Sequence, residues 1–476
     1  MFGAPRVERW DVSPRGKFLL WRQFRPEQLF VGSFFLLVLL CTLGFRFVPA
    51  FYQPGKVPLG WTDAFFTATS AVCITGLVVV DTATYFNFWG QLWILIFMQL
   101  GGLGVIVLSS FIILSLGGRL SLRMETLSNS APDIAPRVNR GKLTRDIIVF
   151  TFLAEIVGAI ALFLLWRSPD SSTAQTAWDA IFHAVSAFCN SGFSTIPGGL
   201  PGQYHHTAIL LVTATLVIFG GIGFLAIEEI YRHIRARVGH MRLRLSIHTR
   251  LVLWTTAILL VFGTIAYAAL EWNNPHTLGK DGVSVGDQLG NAFFMSVTAR
   301  SSGFHSLDYT KAYAGTNFFT VLLMGIGGSP GSTAGGLKTT TVALLFLLAW
   351  NRFRGQPVIS IWGRTLPTET VQRAVGLFVF IFVIATTATL ALTLTEPKTN
   401  RDDFLLYCMF EATSAFFTVG LSIMDSGTLT PSGKWIDIVL MFLGRVGVLT
   451  FAAAIALRED ARDRTFRYAK EDVVIG

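Results

Sequence analysis

The chain alternates between long apolar runs and short basic stretches, and the apolar runs come in pairs. They lie near 26–50 and 91–117, 143–166 and 206–231, 248–271 and 316–350, and 372–396 and 433–457. A helix needs about 20 apolar residues to cross a hydrocarbon core of roughly 30 Å, and these runs meet that length. Between the members of each pair sits a shorter amphipathic segment closing on a glycine: Gly76, Gly192, Gly303 and Gly420. Such a segment is too short to span, so it predicts a half-helix followed by extended backbone. At membrane depth this is tolerated only when buried in protein or lining water. The pattern predicts an all-α polytopic membrane protein of four span–pore-helix–span repeats. Eight transmembrane helices and four re-entrant pore helices would surround one pseudo-fourfold central pore.

The repeats are visible in the letters. "FFTATSAVCITGL" (Phe65–Leu77) aligns without gaps to "MFEATSAFFTVGL" (Met409–Leu421), and "DAIFHAVSAFCNSGF" (Asp179–Phe193) matches "DAFFTATSAVCITGL" (Asp63–Leu77). "NAFFMSVTARSSGF" (Asn291–Phe304) is a more divergent copy with a one-residue offset and Arg300 beside its glycine. A glycine permits backbone angles other residues resist, so the residues before it can aim carbonyl oxygens at an axis. The negative pole of each half-helix dipole would favour a cation there. The candidate filter is Ile74, Thr75 and Gly76; Asn190, Ser191 and Gly192; Ser301, Ser302 and Gly303; Thr418, Val419 and Gly420. Asp81, Asp308 and Asp425 each lie five residues beyond a filter glycine. They either concentrate cations at an outer mouth or cap the following turn.

Composition agrees with the membrane reading: 52% of the 476 residues are hydrophobic, 14% are charged and the mean hydropathy is +0.55. The net charge of +9 does not point to nucleic acid, because 27 of the 38 Lys and Arg fall in 1–25, 118–146, 231–250, 351–373 and 457–476. Basic residues concentrate on the cytoplasmic side of membrane proteins. The expected layout is a cytosolic tail 1–25, repeat 1 at 26–117, a cytosolic loop 118–142, repeat 2 at 143–231 and a loop 232–247. Repeat 3 follows at 248–350, then a loop 351–371, repeat 4 at 372–457 and a cytosolic tail 458–476. The run after the basic N-terminal tail has no small-residue cleavage site and reads as a retained span. The four cysteines are scattered in apolar segments, without metal or redox spacing.

One stretch breaks the pattern. "GIGGSPGSTAGGLKTTT" (Gly325–Thr341) interrupts an apolar run and contains G-x-S-x-G, a nucleophile-elbow motif. A hydrolase elbow needs a histidine later in the chain, yet all eight histidines precede Ser329. The stretch also lacks the Walker spacing, so Lys338 is not a phosphate-binding lysine. The chain reads as no enzyme. Glycines and a proline here lower helix propensity and leave backbone groups unpaired, which suits a mobile loop gating a water-filled path. A second motif recurs in the run after each filter: "LGGLG" (Leu100–Gly104), "FGGIG" (Phe219–Gly223) and "LGRVG" (Leu443–Gly447). Helix packing explains the glycines. Arg445, mid-span, calls for a functional role.

These repeats and filter signatures resemble the Trk/Ktr/HKT superfamily of potassium transporters, and the short N-terminal tail is most similar to the Ktr-type membrane subunit. The resemblance implies that Gly325, Gly327, Gly328, Ser329, Gly331, Ser332, Thr333, Gly335, Gly336 and Lys338 belong to an intramembrane gate loop (325–341) beneath the filter, faced by Arg445. Gly76, where sodium-preferring plant relatives carry serine, implies selectivity for K⁺, held at the filter residues. It further implies uptake across the plasma membrane with both termini cytosolic. Expected partners are a second copy in a homodimer, a cytosolic ring of nucleotide-binding (RCK-type) regulatory subunits and membrane lipid, with no nucleic acid. No covalent cofactor is expected; K⁺ is the cargo, and Na⁺ stays open as an activator. A broken-helix secondary transporter of another cation, Na⁺-coupled or Na⁺-selective, is the competing reading.

Overall fold

The computed structural model describes residues 26–104, 140–169, 172–239, 244–280, 282–356, 359–397 and 403–447. Both tails, the end of the first repeat's second run and the last residues of repeat 4 lie outside the described residues. The 118–142 loop is described only from residue 140.

Four helices are long and apolar enough to cross a bilayer: α1 (Pro26–Phe47), α5 (Arg140–Trp166), α9 (Ile247–Glu271) and α13 (Thr368–Thr395). Each opens one sequence repeat. Their outward faces carry apolar side chains left exposed among the described residues, such as Val149, Leu153, Ile156, Ile160 and Leu164 on α5. An exposed apolar stripe of that length suits lipid and not water.

After each long helix comes a short one: α2 (Trp61–Val72), α6 (Thr173–Phe188), α10 (Val285–Thr298) and α14 (Phe404–Phe416). At 1.5 Å per residue they reach only about 18–24 Å. Their C-terminal halves are almost wholly buried; in α2 every residue from Phe66 to Val72 is inside. Each packs on its own long helix.

The remaining helices link neighbouring repeats. Besides the four-residue helix α3 (Thr82–Tyr85), these are α4 (Phe88–Gly104), α7 (Thr207–Ile222), α11 (Ala314–Met324) and α15 (Pro431–Val446). α7 packs on α10, α11 on α14 and α15 on α2. α4 reaches α6 through Gln91, whose side-chain oxygen accepts the Trp178 indole N–H at 2.7 Å. Repeat 1 thus touches 2, 2 touches 3, 3 touches 4, and 4 returns to 1, leaving the short helices innermost.

Two of the linking helices are interrupted. α11 stops at Met324 and resumes at Thr339 as α12 (Thr339–Phe353), which is where the glycine-rich stretch predicts a break. α7 breaks at Gly223, φ +89°, and turns by 98° into α8 (Phe224–Val238). The sequence pattern carries a straight run over 206–231 and does not anticipate this bend. Between α12 and α13 a two-stranded hairpin, β1 (Ser360–Ile361) and β2 (Arg364–Thr365), is closed by Trp362 and Gly363. Both have positive φ, as a tight two-residue hairpin turn requires.

Candidate ion pathway

The four segments that follow the short helices meet on one axis. In each, the first and third candidate filter residues have positive φ: Ile74 (56°) and Gly76 (87°), Asn190 (59°) and Gly192 (79°), Ser301 (73°) and Gly303 (74°), Thr418 (49°) and Gly420 (91°). Six non-glycine residues among those described have positive φ, and four of them occupy this one repeat position. Left-handed backbone costs an ordinary residue about 1–2 kcal/mol, so the recurrence marks a required shape. Residues of alternating hand turn successive N–H groups to one side and the carbonyls to the other. The N–H groups do face the protein. Those of Thr75, Ser191 and Val419 donate to the Ser70, Ser186 and Ser414 carbonyls, each at 2.8 Å. The Gly76 and Gly420 N–H groups donate to the Ser70 and Ser414 hydroxyls, both at 3.0 Å.

The third copy differs because it has seven residues from Ser296 to its glycine where the others have six. The Ser302 N–H donates one residue nearer, to the Thr298 carbonyl at 3.1 Å. The Ser296 hydroxyl turns away to the Leu260 carbonyl on α9. Arg300, 8% exposed, is buried beside this offset.

The segments also close a ring. A Cβ built on Gly76 would lie 2.0 Å from the Ser191 carbonyl oxygen, one on Gly192 2.7 Å from that of Ser302, one on Gly303 2.8 Å from that of Val419, and one on Gly420 2.0 Å from that of Thr75. Each glycine abuts the middle residue of the next segment, and the fourth returns to the first. All four glycines line a cavity of about 470 Å³ that opens outward past His305, Asp81 and Asp425.

Each predicted mouth aspartate caps a turn. Asp81 accepts the Ala83 and Thr84 N–H groups, Asp308 that of Thr310 and Asp425 that of Gly427. Asp81 and Asp425 line the cavity above the glycines, whereas Asp308 lines a neighbouring one with His276, Lys280 and Lys311. Burial pushes the Asp308 carboxyl up, but hydrogen bonds from Thr310 and the adjacent Lys311 outweigh it and leave it below its ordinary value.

Two buttresses behind the ring were not singled out from sequence. Nine residues before the filter glycine, His183 and Glu411 each bond a hydroxyl two residues after it: His183 Nε2 to Ser194 Oγ at 2.9 Å, Ser422 Oγ to Glu411 at 2.6 Å. Glu411 also accepts from Ser426 at 2.6 Å. The gapless alignment of the copies puts both at the same position; their unlike chemistry hides the shared task.

Beneath the ring lies the glycine-rich loop, and its anchorage follows from the break in α7. In a straight helix the Phe224 N–H would donate to Gly220. Here it donates to the Gly331 carbonyl at 3.1 Å. The freed Gly220 and Gly221 carbonyls accept the Thr333 and Ser329 N–H groups at 3.2 and 2.9 Å. The loop also folds on itself: Gly327 N–H to the Leu337 carbonyl, Ser329 Oγ to Thr339 Oγ1, and Lys338 Nζ to the Ala334 carbonyl at 2.8 Å. Arg445, 6% exposed, donates to the Thr333 carbonyl and, at 3.3 Å, to the Gly101 carbonyl. Gly101, Gly220 and Gly444 open the repeated glycine motif in three repeats. A Cβ there would lie 2.0, 2.0 and 1.7 Å from the carbonyl oxygens of Val72, Phe188 and Phe416, at the ends of three of the short helices.

An apolar helical bundle with four strained loops ringed on one axis defines a membrane protein built around an ion path. The chain belongs to the TrkH family of cation transport proteins, whose family model matches residues 50–464. This is a family of membrane ion transporters and not of enzymes. The chain is 37% identical to Ktr system potassium uptake protein B of Vibrio alginolyticus, over 93% of each chain. It is 34% identical to the potassium/sodium uptake protein NtpJ of Enterococcus hirae, over 96% of this chain and 98% of the relative. Among solved structures, the potassium transporter TrkH from Vibrio parahaemolyticus shares the fold, with a TM-score of 0.71 at 20% identity over 93% of this chain and 87% of the other.

Proposed function

We propose that this chain is the ion-translocating subunit of a potassium-uptake system of the plasma membrane, passing K⁺ through one central pore per chain. The carrying observation is the closed ring of four loops, alternating in backbone hand, in which carbonyls on the side opposite the protein-bonded N–H groups can replace an ion's hydration shell. Four short helices end at that ring, and the negative ends of their dipoles favour a cation. In this reading α1, α5, α9 and α13 and the four linking helices are eight spans, and α2, α6, α10 and α14 are re-entrant pore helices. The relatives are potassium uptake and potassium/sodium uptake proteins, which supports the choice of ion.

The loop Gly325–Thr341 is the gate in this proposal. It lies under the ring on repeat 2's freed carbonyls, and Arg445 bonds it from repeat 4. A guanidinium there also opposes cations. Energy would come from the membrane potential, about 2.3 kcal/mol per charge per 100 mV. A homodimer and a cytosolic nucleotide-binding ring complete the assembly that the family resemblance implies.

Expression in a strain lacking its potassium-uptake systems tests the function. Growth at limiting K⁺ is the expected result. Growth restored only when Na⁺ is supplied would support Na⁺ coupling or activation; no growth with protein present in the membrane would reject potassium uptake.

A further inference from the structure

Ser301 has a side-chain task that its backbone role in the ring does not require. Its hydroxyl is buried at 1% exposure and donates to the Thr418 carbonyl of the fourth filter segment at 3.0 Å. The same oxygen accepts the Gly335 N–H of the glycine-rich loop at 2.9 Å. The loop backbone is pressed against that segment: a Cβ on Gly335 would stand 2.7 Å from the Phe417 carbonyl oxygen and 2.1 Å from Thr418 Oγ1. The equivalent positions in the other repeats are Ile74, Asn190 and Thr418, so only the third copy places a serine there.

We propose that Ser301 is a positioning residue that relays the state of the loop to the filter, through the chain Gly335 N–H to Ser301 Oγ–H to Thr418 carbonyl. This rests on the loop being a gate and the ring a filter. When the loop is seated, its N–H polarises the Ser301 hydroxyl and strengthens that hydroxyl's bond to the Thr418 carbonyl. A carbonyl so engaged has less capacity for an ion. The seated loop therefore blocks the path and weakens the filter position above it. When the loop leaves, the hydroxyl loses its donor and releases the carbonyl. The relay also latches the loop, because removing the hydroxyl leaves the Gly335 N–H buried without an acceptor only in the seated state.

The test is a coupling measurement on the full chain, reading Rb⁺ influx into proteoliposomes without any cytosolic partner. Ser301→Ala and Ser301→Gly both delete the hydroxyl, and only the glycine also relaxes the positive φ. In the intact chain both should raise influx by about three- to tenfold, the range one buried hydrogen bond commands. In two loop-released backgrounds, Arg445→Ala and a chain lacking residues 331–335, either substitution should add almost nothing, since interacting sites are not additive. Equal multiplication in the intact and released chains would overturn the relay. So would a rise with glycine alone, which would assign the effect to backbone strain, or no rise at all. No Rb⁺ influx from any variant, the unsubstituted chain included, would reject the proposed function itself.

Discussion

At Gly76 two demands fall on one residue: a φ of +87° and a carbonyl oxygen 2.0 Å from where a Cβ would stand. Gly76→Ser should push the first and second filter segments apart and disturb carbonyls on both. The preference for K⁺ over Na⁺ is then expected to fall by about tenfold, the equivalent of the 1–2 kcal/mol that left-handed backbone costs an L-residue. Rb⁺ uptake under Na⁺ competition reads it, and an unchanged ratio in folded protein would remove Gly76 from the filter. Arg445 is the other residue on which the account turns. It is buried, it donates to backbone carbonyls, and it joins the loop at Thr333 to repeat 1 at Gly101. Arg445→Ala should raise basal influx at least several-fold, because a buried charge-assisted hydrogen bond is worth about 1.5–3 kcal/mol. Influx no higher than that of the unsubstituted chain would contradict the gate. The oddity of both residues was legible in sequence, one from fourfold repetition and the other from a charge in an apolar run. Ser301 was legible only as a candidate filter residue, because a hydroxyl in a serine-rich stretch gives no sign of what it will bond.

The elements divide between those that hydropathy describes and those that need their neighbours. The long helices follow from run length alone, and the short ones from ending too soon. The bend at Gly223 does not, since "FGGIG" is apolar on both sides and glycine in a membrane helix commonly serves packing. What selects the break is the loop from repeat 3, distant in sequence, which supplies donors for the carbonyls the bend frees. Packing is nonetheless the task of the first glycine in the motif, and α4 allows a comparison within one helix. A Cβ on Gly101 would meet the Val72 carbonyl oxygen at 2.0 Å, whereas one on Gly104 would rest 3.7 Å from the Phe34 ring. Gly101→Ala should displace the end of α2 and lower stability by about 1–3 kcal/mol, as overpacking does, with loss of uptake. Gly104→Ala should be near neutral. Thermal unfolding in detergent with parallel Rb⁺ uptake separates them, and equal behaviour would mean that α2 does not depend on this close approach.

For the whole molecule, the four copies were readable because repetition survives where individual residues diverge. The closing contact of the fourth copy on the first was not readable, since no local pattern encodes a ring. Nor was the placement of Asp308 beside, and not within, the cavity above the glycines, because its spacing matches that of Asp81 and Asp425. The orientation expected from charge can be tested. With the four native cysteines replaced, a cysteine at Gly239 should resist membrane-impermeant thiol reagents in intact cells, and one at Asn273, beyond the end of α9, should react. The reverse pattern would invert the orientation and place the basic segments outside. In the proposed function one chain carries K⁺ through a ring of four backbone loops. Rb⁺ influx into liposomes holding only the purified chain, driven by an imposed potential without any organic solute, tests it most directly. The expected result is influx that Na⁺ competes with poorly, and loss of that discrimination in both Gly76→Ser and Gly420→Ser, whose sites lie where the first loop meets the second and where the fourth meets the first. Influx absent under a potential, or discrimination unmoved by either substitution in folded protein, would contradict it.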